Sequence, residues 1–359
     1  MSATNHRHYC SLKPRPTKPL PAGMKPGRTS LIQLLASKWL NGTSLKYCFM
    51  SKARFELEDG TWQFYEWAID PAQAKAVRDA FDVWRNVGIG LTFQEIANPA
   101  AADIRIGFLK GAGSWSYVGR DIRNTAADEL TMNLGWNVAQ DIDTAVHEIG
   151  HTLGFPHEHQ NPYAGIVWDE EAVYADLAKP PNEWDRQKTY YNIIRKIEPD
   201  TVQGSSWDPD SIMHYPFDKG LIKQPAQYQN GLQPKGGLSD RDKQWVKTFY
   251  PPLGAQAPTL LVPFASQPLQ LRPTEQRSFL LLPAQTKEYE IATFGETDTL
   301  IVLNERAADG SLTYLAGDDD SGEERNARLK IRLVGGREYE LKVRLYYAQE
   351  EGSSAVMYW

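Results

Sequence analysis

The chain has 359 residues, 41% hydrophobic and 23% charged, with a net charge of −6; this is a globular composition too long for one core, and no apolar run is long enough to cross a bilayer. The negative charge gives nucleic-acid binding little footing, and two cysteines, Cys10 and Cys48, exclude a disulfide framework and leave at most one bridge. The first 55 residues carry ten Lys or Arg and no acidic residue, which subtracted from −6 leaves −16 on the remainder. Such a leader is either a solvated arm or a segment docked on the acidic body.

Met1 to Lys18 is polar and proline-rich where a signal peptide has its apolar core, so either export is unconventional or the leader is absent from this chain. The segment PRPTKPLPAGMKPG, from Pro14 to Gly27, has too little apolar surface to offset its ordering entropy. Residues 1–30 therefore read as a basic extended arm or pro-segment, and folding is expected from Leu31. Asp70 and Pro71 form a helix entry, after which Val77, Phe81 and Trp84 recur at helical spacing until Gly88. The runs LTFQEI from Leu91, DIRIGFL from Asp103 and ELTMNL from Glu129 predict short strands, and a second helix is expected from about Asp141. Ser239 with Asp242 resembles a capping box opening a third helix, which Pro251 and Pro252 forbid from continuing.

The first domain is thus expected over 31–252. After the linker PPLGAQAP the pattern changes to short β-type runs, PLQLR, RSFLLL, EYEIATF, TLIVLNE, LKIRLV and YELKVRLYY, which predict a small all-β sandwich over 253–359.

The chemistry is concentrated in HEIGHTLGFPHEH. On a helix, the four-residue spacing brings His147 and His151 onto one face, where two imidazoles can converge on one cation, with Glu148 beside them. A catalytic zinc takes three protein ligands and keeps one position open, so a third donor must come from outside the straight helix. Gly154 can adopt the left-handed conformation that ends the helix and lets His157 return under the metal. Five of the seven histidines (His147, His151, His157, His159 and His214) lie in this motif or in SIMHY, a concentration that surface or core histidines do not show. Three neutral imidazoles leave the full charge of Zn2+ to activate water, and Glu148 is placed as general base and then acid; hydrolysis of peptide bonds in protein or peptide substrates is the matching reaction.

These residues resemble the metzincins, and within them the astacin family, whose motif continues past the third histidine as it does here through Gly154, Phe155, His157, Glu158 and His159. SIMHY is similar to the segment in which Met213 would be the Met-turn methionine and Tyr215 a switchable extra metal ligand and oxyanion donor. SWSYVGR resembles the edge strand that pairs with extended substrate, through Ser114, Trp115, Ser116 and Tyr117. The resemblance covers about Lys38 to Pro251. It implies an α+β fold, a two-lobed zincin-like catalytic domain, and a secreted, zymogen-type zinc metalloprotease. Near Ser114 and Trp136 the cysteine pair usual in animal members is missing, and QNPYAG follows His159 in place of the family's Arg and Asp pattern. Glu158 then either anchors a processed N-terminus or accepts hydrogen bonds that support the site. Lys219 and Lys223 are candidates for selecting acidic substrate residues.

Residues from about 257 to 359 resemble the pre-peptidase C-terminal type of sandwich, with TDTLIVLNE and GDDDSG as the similar stretches; this implies matrix or substrate binding, or help in export. Asp318, Asp319 and Asp320, with Asp298, either ligate Ca2+ or form a solvated acidic turn. Tyr339, Tyr346, Tyr347 and Tyr358 are either a contact surface or packing residues. Family members are held latent by an acidic side chain that the arm lacks, and Cys10 can replace it as a zinc-binding thiolate favoured by His6, His8 and the basic residues. The alternatives are a Cys10–Cys48 bridge or a free thiol on a disordered arm. A different class remains open as well: a zinc-bearing protein that binds through its sandwich and cleaves nothing, against which the intact Glu148 argues.

Overall fold

The computed structural model describes residues 9–12, 38–39, 41–57, 60–197, 207–250, 252, 258–273, 275–319, 321–322, 325–346 and 351–359. The chain divides into two compact units that meet in sequence at Trp245 and Val246, with the stretches 41–44 and 89–92 grouping with the second.

The first unit begins with β1 (Ser44–Phe49) and a hairpin of β2 (Lys52–Glu56) and β3 (Trp62–Glu66). Helix α1 (Pro71–Asn86) starts where the sequence predicts: the Asp70 carboxylate accepts from the N–H of Ala72 at 2.8 Å, and Pro71 supplies the preset first turn. Its apolar stripe of Val77, Phe81 and Trp84 is buried. Then follow β4 (Thr92–Glu95), β5 (Ile104–Gly107), β6 (Ser114–Ser116), β7 (Met132–Leu134) and α2 (Ile142–Thr152). The strands form one sheet in the order β4-β1-β5-β7-β6, with β1, β5 and β7 parallel and β6 antiparallel at one edge. Every residue of β5 is buried, which is why it reads as a run rather than an alternation. The Trp84 indole donates to the carbonyl of Val146 at 3.0 Å and ties α1 to α2.

Beyond α2 lie β8 (Val167–Trp168), α3 (Glu170–Leu177), α4 (Arg186–Thr189), a π-helical turn over Tyr190–Ile194, β9 (Ile222–Gln224) and α5 (Asp240–Phe249). The capping box at α5 forms as expected. The N–H of Asp242 donates to the Ser239 hydroxyl and the N–H of Ser239 to the Asp242 carboxylate, each at 2.9 Å. The short elements β1 to β3, α3 and α4 carry too few apolar positions for periodicity to expose them.

The second unit contains β10 (Thr259–Leu260), β11 (Gln267–Leu271), β12 (Gln276–Leu281), β13 (Lys287–Phe294), β14 (Thr299–Arg306), β15 (Leu312–Asp318), β16 (Arg328–Leu333), β17 (Glu338–Leu345) and β18 (Gly352–Tyr358). Two sheets result, β10-β12-β17-β14-β15 and β11-β18-β13-β16, with Leu271, Leu281, Ile291, Leu303, Leu341 and Val356 in the core they share. Tyr339 and Tyr358 are core residues and Tyr346 packs on Leu300 and Val302, so these three are packing residues; Tyr347 lies outside the described residues. Asp318 spends its carboxylate on a turn, accepting from the N–H of Ser321 (3.0 Å), the Ser321 hydroxyl (2.6 Å) and the N–H of Arg328 (2.7 Å). The calcium expectation finds no cluster of metal-ligating side chains here among the described residues, and Asp320 lies outside them.

Candidate metal centre

Helix α2 places the imidazoles of His147 and His151 side by side, their centroids 4.7 Å apart. The helix stops at once after His151 and Thr152. Gly154 takes φ +97°, its N–H donates to the carbonyl of His151 (2.8 Å), and the N–H of Phe155 donates back to Gly150 (3.1 Å), a Schellman closure that needs the left-handed residue. The turn returns His157, whose Nε2 comes to 3.0 Å from Nε2 of His151.

Second partners orient two of the rings. Nδ1–H of His147 donates to the carbonyl of Ile212 and Nδ1–H of His151 to that of Phe155, each at 2.7 Å, which leaves the Nε2 lone pairs facing inward. Nε2 of His147 is buried without a hydrogen-bond partner. Burial depresses His147 to about 4 and also holds His157 below the ordinary imidazole range, so both are neutral at pH 7. Two nitrogen lone pairs 3.0 Å apart repel unless a proton or cation lies between them. Together with Sγ of Cys10 the three imidazoles form the only such ligand cluster among the described residues, every ligand atom within 4.8 Å of the others. Neutral nitrogens and one soft sulfur suit zinc.

Glu148 is wholly buried; one carboxylate oxygen faces the Cys10 thiol at 3.6 Å and the other has no partner. Burial pushes it up to about 8, and a divalent cation beside it would favour the carboxylate. Tyr215 is buried, its hydroxyl 2.5 Å from Nε2 of His157 and donating to the Cys10 carbonyl at 2.8 Å.

The SIMHY segment is held by residues with no visible signature of that role. Asp242 accepts from the Ser211 hydroxyl (2.6 Å) and the N–H of Ile212 (2.8 Å), while the Met213 carbonyl accepts from the N–H of Glu158 (2.9 Å). Sδ of Met213 lies so near Gly150 that a Cβ there would sit 2.4 Å from it. Glu158, raised to about 7 by burial, accepts from the N–H of Asp208 (2.9 Å) and the Asn161 amide (3.1 Å). Of the two readings of Glu158, these contacts match the supporting acceptor. The missed residues are Asp242, legible only as a helix cap, and Gly150, legible only as a helix interior glycine.

Residues 9–12 lie at the centre. Sγ of Cys10 is 3.5 Å from Nε2 of His151 and 3.6 Å from that of His157. The Tyr9 ring packs on Trp184, Tyr215 and Phe217, and the N–H groups of Tyr9 and Leu12 donate to the amide oxygens of Asn182 (3.1 Å) and Asn192 (2.8 Å). Cys48 is buried in another cluster and both cysteines are free, which removes the bridge. His6 and His8 lie outside the described residues; burial and the charge of Glu148 raise the Cys10 thiol, and a bound divalent cation would favour its thiolate. Ser114, Trp115 and Ser116 are buried in the edge strand β6, followed directly by Tyr117. Lys219 is exposed and Lys223 is paired with Asp169 at 3.4 Å; neither lines the cavity beside His147 and Glu148.

A helix bearing two imidazoles, a glycine turn that returns a third, a methionine packed against that helix and a buried carboxyl beside the cluster define a metzincin. Residues 60–250, more than half of the chain, match the family model Astacin, which describes a peptidase family. The chain belongs to the astacin family. It is 32% identical over 150 residues to bone morphogenetic protein 1 of Xenopus laevis, covering 38% of this chain and 19% of that protein. It is likewise 32% identical over 137 residues to human tolloid-like protein 1, covering 36% and 12%. The chain thus spans about a fifth or less of these relatives. A solved structure of myroilysin aligns with a TM-score of 0.51 at 30% identity, covering 60% of this chain and 96% of that one.

Proposed function

We propose that the protein is a zinc-dependent endopeptidase in which His147, His151 and His157 hold the metal. The observation that carries this reading is the convergence of three imidazoles, two of them oriented by backbone carbonyls, beside a buried carboxyl with one oxygen unpartnered. When bound, zinc supplies Lewis-acid activation of water and of the scissile carbonyl. Glu148 takes a proton from the attacking water and passes it to the leaving amine. Tyr215 donates its O–H to the oxygen on which negative charge develops, and would be a further ligand to a bound metal once residues 9–12 have left. Met213 and Gly154 shape the support, and the backbone of 114–117 pairs with extended peptide, a mode that tolerates many sequences.

Cys10 is the latency device in this reading: its thiolate would occupy the open ligand position, and residues 9–12 would bar the substrate. Residues 1–30 then act as a pro-segment, 31–252 as the catalytic domain and 253–359 as an accessory sandwich for substrate or matrix binding.

Glu148→Gln tests the mechanism. The variant should bind one zinc like the parent, since the residue is no ligand, while peptide cleavage falls by orders of magnitude. Near-parental cleavage would overturn the assignment. A chain beginning near Leu31, free of the Cys10 segment, that binds zinc and cleaves no peptide would favour the binding protein instead.

A further inference from the structure

Beside the metal centre the first unit contains a cavity of about 420 Å³, lined by His147, Glu148 and Tyr215 and also by Asp141 and Asp143 from the start of α2. Buried polar atoms in its lining, Oε1 of Glu148 and Nε2 of His214, have no hydrogen-bond partner, so a bound molecule would satisfy them. Ile212, Pro216 and Pro234 add apolar wall. Among the described residues no Lys or Arg lines the cavity. Lys235, between the lining residues Pro234 and Gly236, directs its ammonium to Asp210 at 2.5 Å.

The chemistry says which part of a substrate enters. Glu148 must reach the nitrogen of the leaving amine, so the residue that supplies that amine has its Cα beside Glu148, and the cavity Glu148 lines is the space open to its side chain. Two carboxylates await it. Asp143 is held by the N–H of Gly237 (2.9 Å) and Asp141 by the Thr144 hydroxyl (3.0 Å), so both are positioned in advance. A long side chain with an apolar stem and a cationic head matches the apolar wall and the two acids together.

We propose that this cavity selects lysine or arginine immediately after the scissile bond, with Asp141 and Asp143 as the specificity residues. The inference rests on the peptidase reading and is opposite in sign to the acidic selection that Lys219 and Lys223 suggested.

The test compares four peptides that differ only in the residue after the scissile bond, Lys, Arg, Leu or Asp, cleaved by the full chain and by its full-length Cys10→Ser variant. Basic peptides should exceed the Leu peptide about tenfold in kcat/KM, with the Asp peptide poorest. Adding Asp141→Asn with Asp143→Asn should lower the Lys-to-Leu ratio by about the same factor. Asp141→Lys, at an exposed position, should shift the ratio towards the Asp peptide, which keeps the proposal exposed if the double variant folds poorly. Cleavage without a basic preference, or an unchanged ratio in the variants, overturns the selectivity alone. Failure of every form to cleave any of the four, a chain beginning near Leu31 included, overturns the peptidase reading and the selectivity with it.

Discussion

Tyr215 and Cys10 compete for the same few ångströms. The Tyr215 hydroxyl donates to the Cys10 carbonyl at 2.8 Å, so while residues 9–12 are docked it is unavailable to a substrate carbonyl. Tyr215→Phe should lower kcat of the active form by ~10²–10³, with modest change in KM, because one oxyanion donor is lost while three imidazoles still hold the metal. Retained zinc with lost turnover supports the donor role; lost zinc would make Tyr215 chiefly a ligand. For Cys10, activity is compared among the full chain, Cys10→Ser and a chain beginning near Leu31. Latency requires both altered forms to be more active than the full chain, and equal activity in all three excludes it. The histidines were legible because their spacing is local to one helix and one turn. Asp242, 29 residues beyond Met213 in the sequence, grips the SIMHY segment through a contact no local pattern encodes.

At the scale of elements, α2 is built to be approached closely. An added Cβ at Gly150 would lie 2.4 Å from Sδ of Met213 and 3.3 Å from the Trp84 ring, both side chains being buried. Gly150→Ala gains roughly 1 kcal/mol of helix propensity but overpacks this contact, at a cost of about 1–3 kcal/mol. Chemical denaturation should therefore find the variant less stable, with weaker metal retention because Met213 and its neighbour Ile212, which orients His147, shift together. A variant as stable as the parent would show that the Met213 segment yields without consequence. The start of α1 and the capping box of α5 were readable from sequence, since caps are contacts between near neighbours. β15 and β18 were not: LTYLAGD is half exposed and GSSAVMY is rich in small residues, and their partners lie elsewhere in the chain.

The chain divides into two compact units, and the proposed metal belongs to the first. Binding to the folded state alone stabilises it by about 4 kcal/mol at a thousandfold excess over Kd, so a chelator should lower the unfolding temperature of the catalytic unit. The sandwich, with no metal-ligating cluster among its described residues, should unfold unchanged. Scanning calorimetry should show one transition moving and one staying; a common shift of both would mean that the units unfold as one. The sequence alone determined the astacin resemblance, the three-imidazole motif with its carboxyl, the glycine turn and the change to β-type runs near 253, because each rests on spacing within a few residues or on local composition. Only the tertiary structure decided that Cys10 lies against the imidazoles rather than on Cys48, and that Asp141 and Asp143 rather than Lys219 and Lys223 line the cavity beside Glu148. Those are contacts across tens to more than a hundred residues, and such contacts exist only once the burial of apolar surface has brought the segments together.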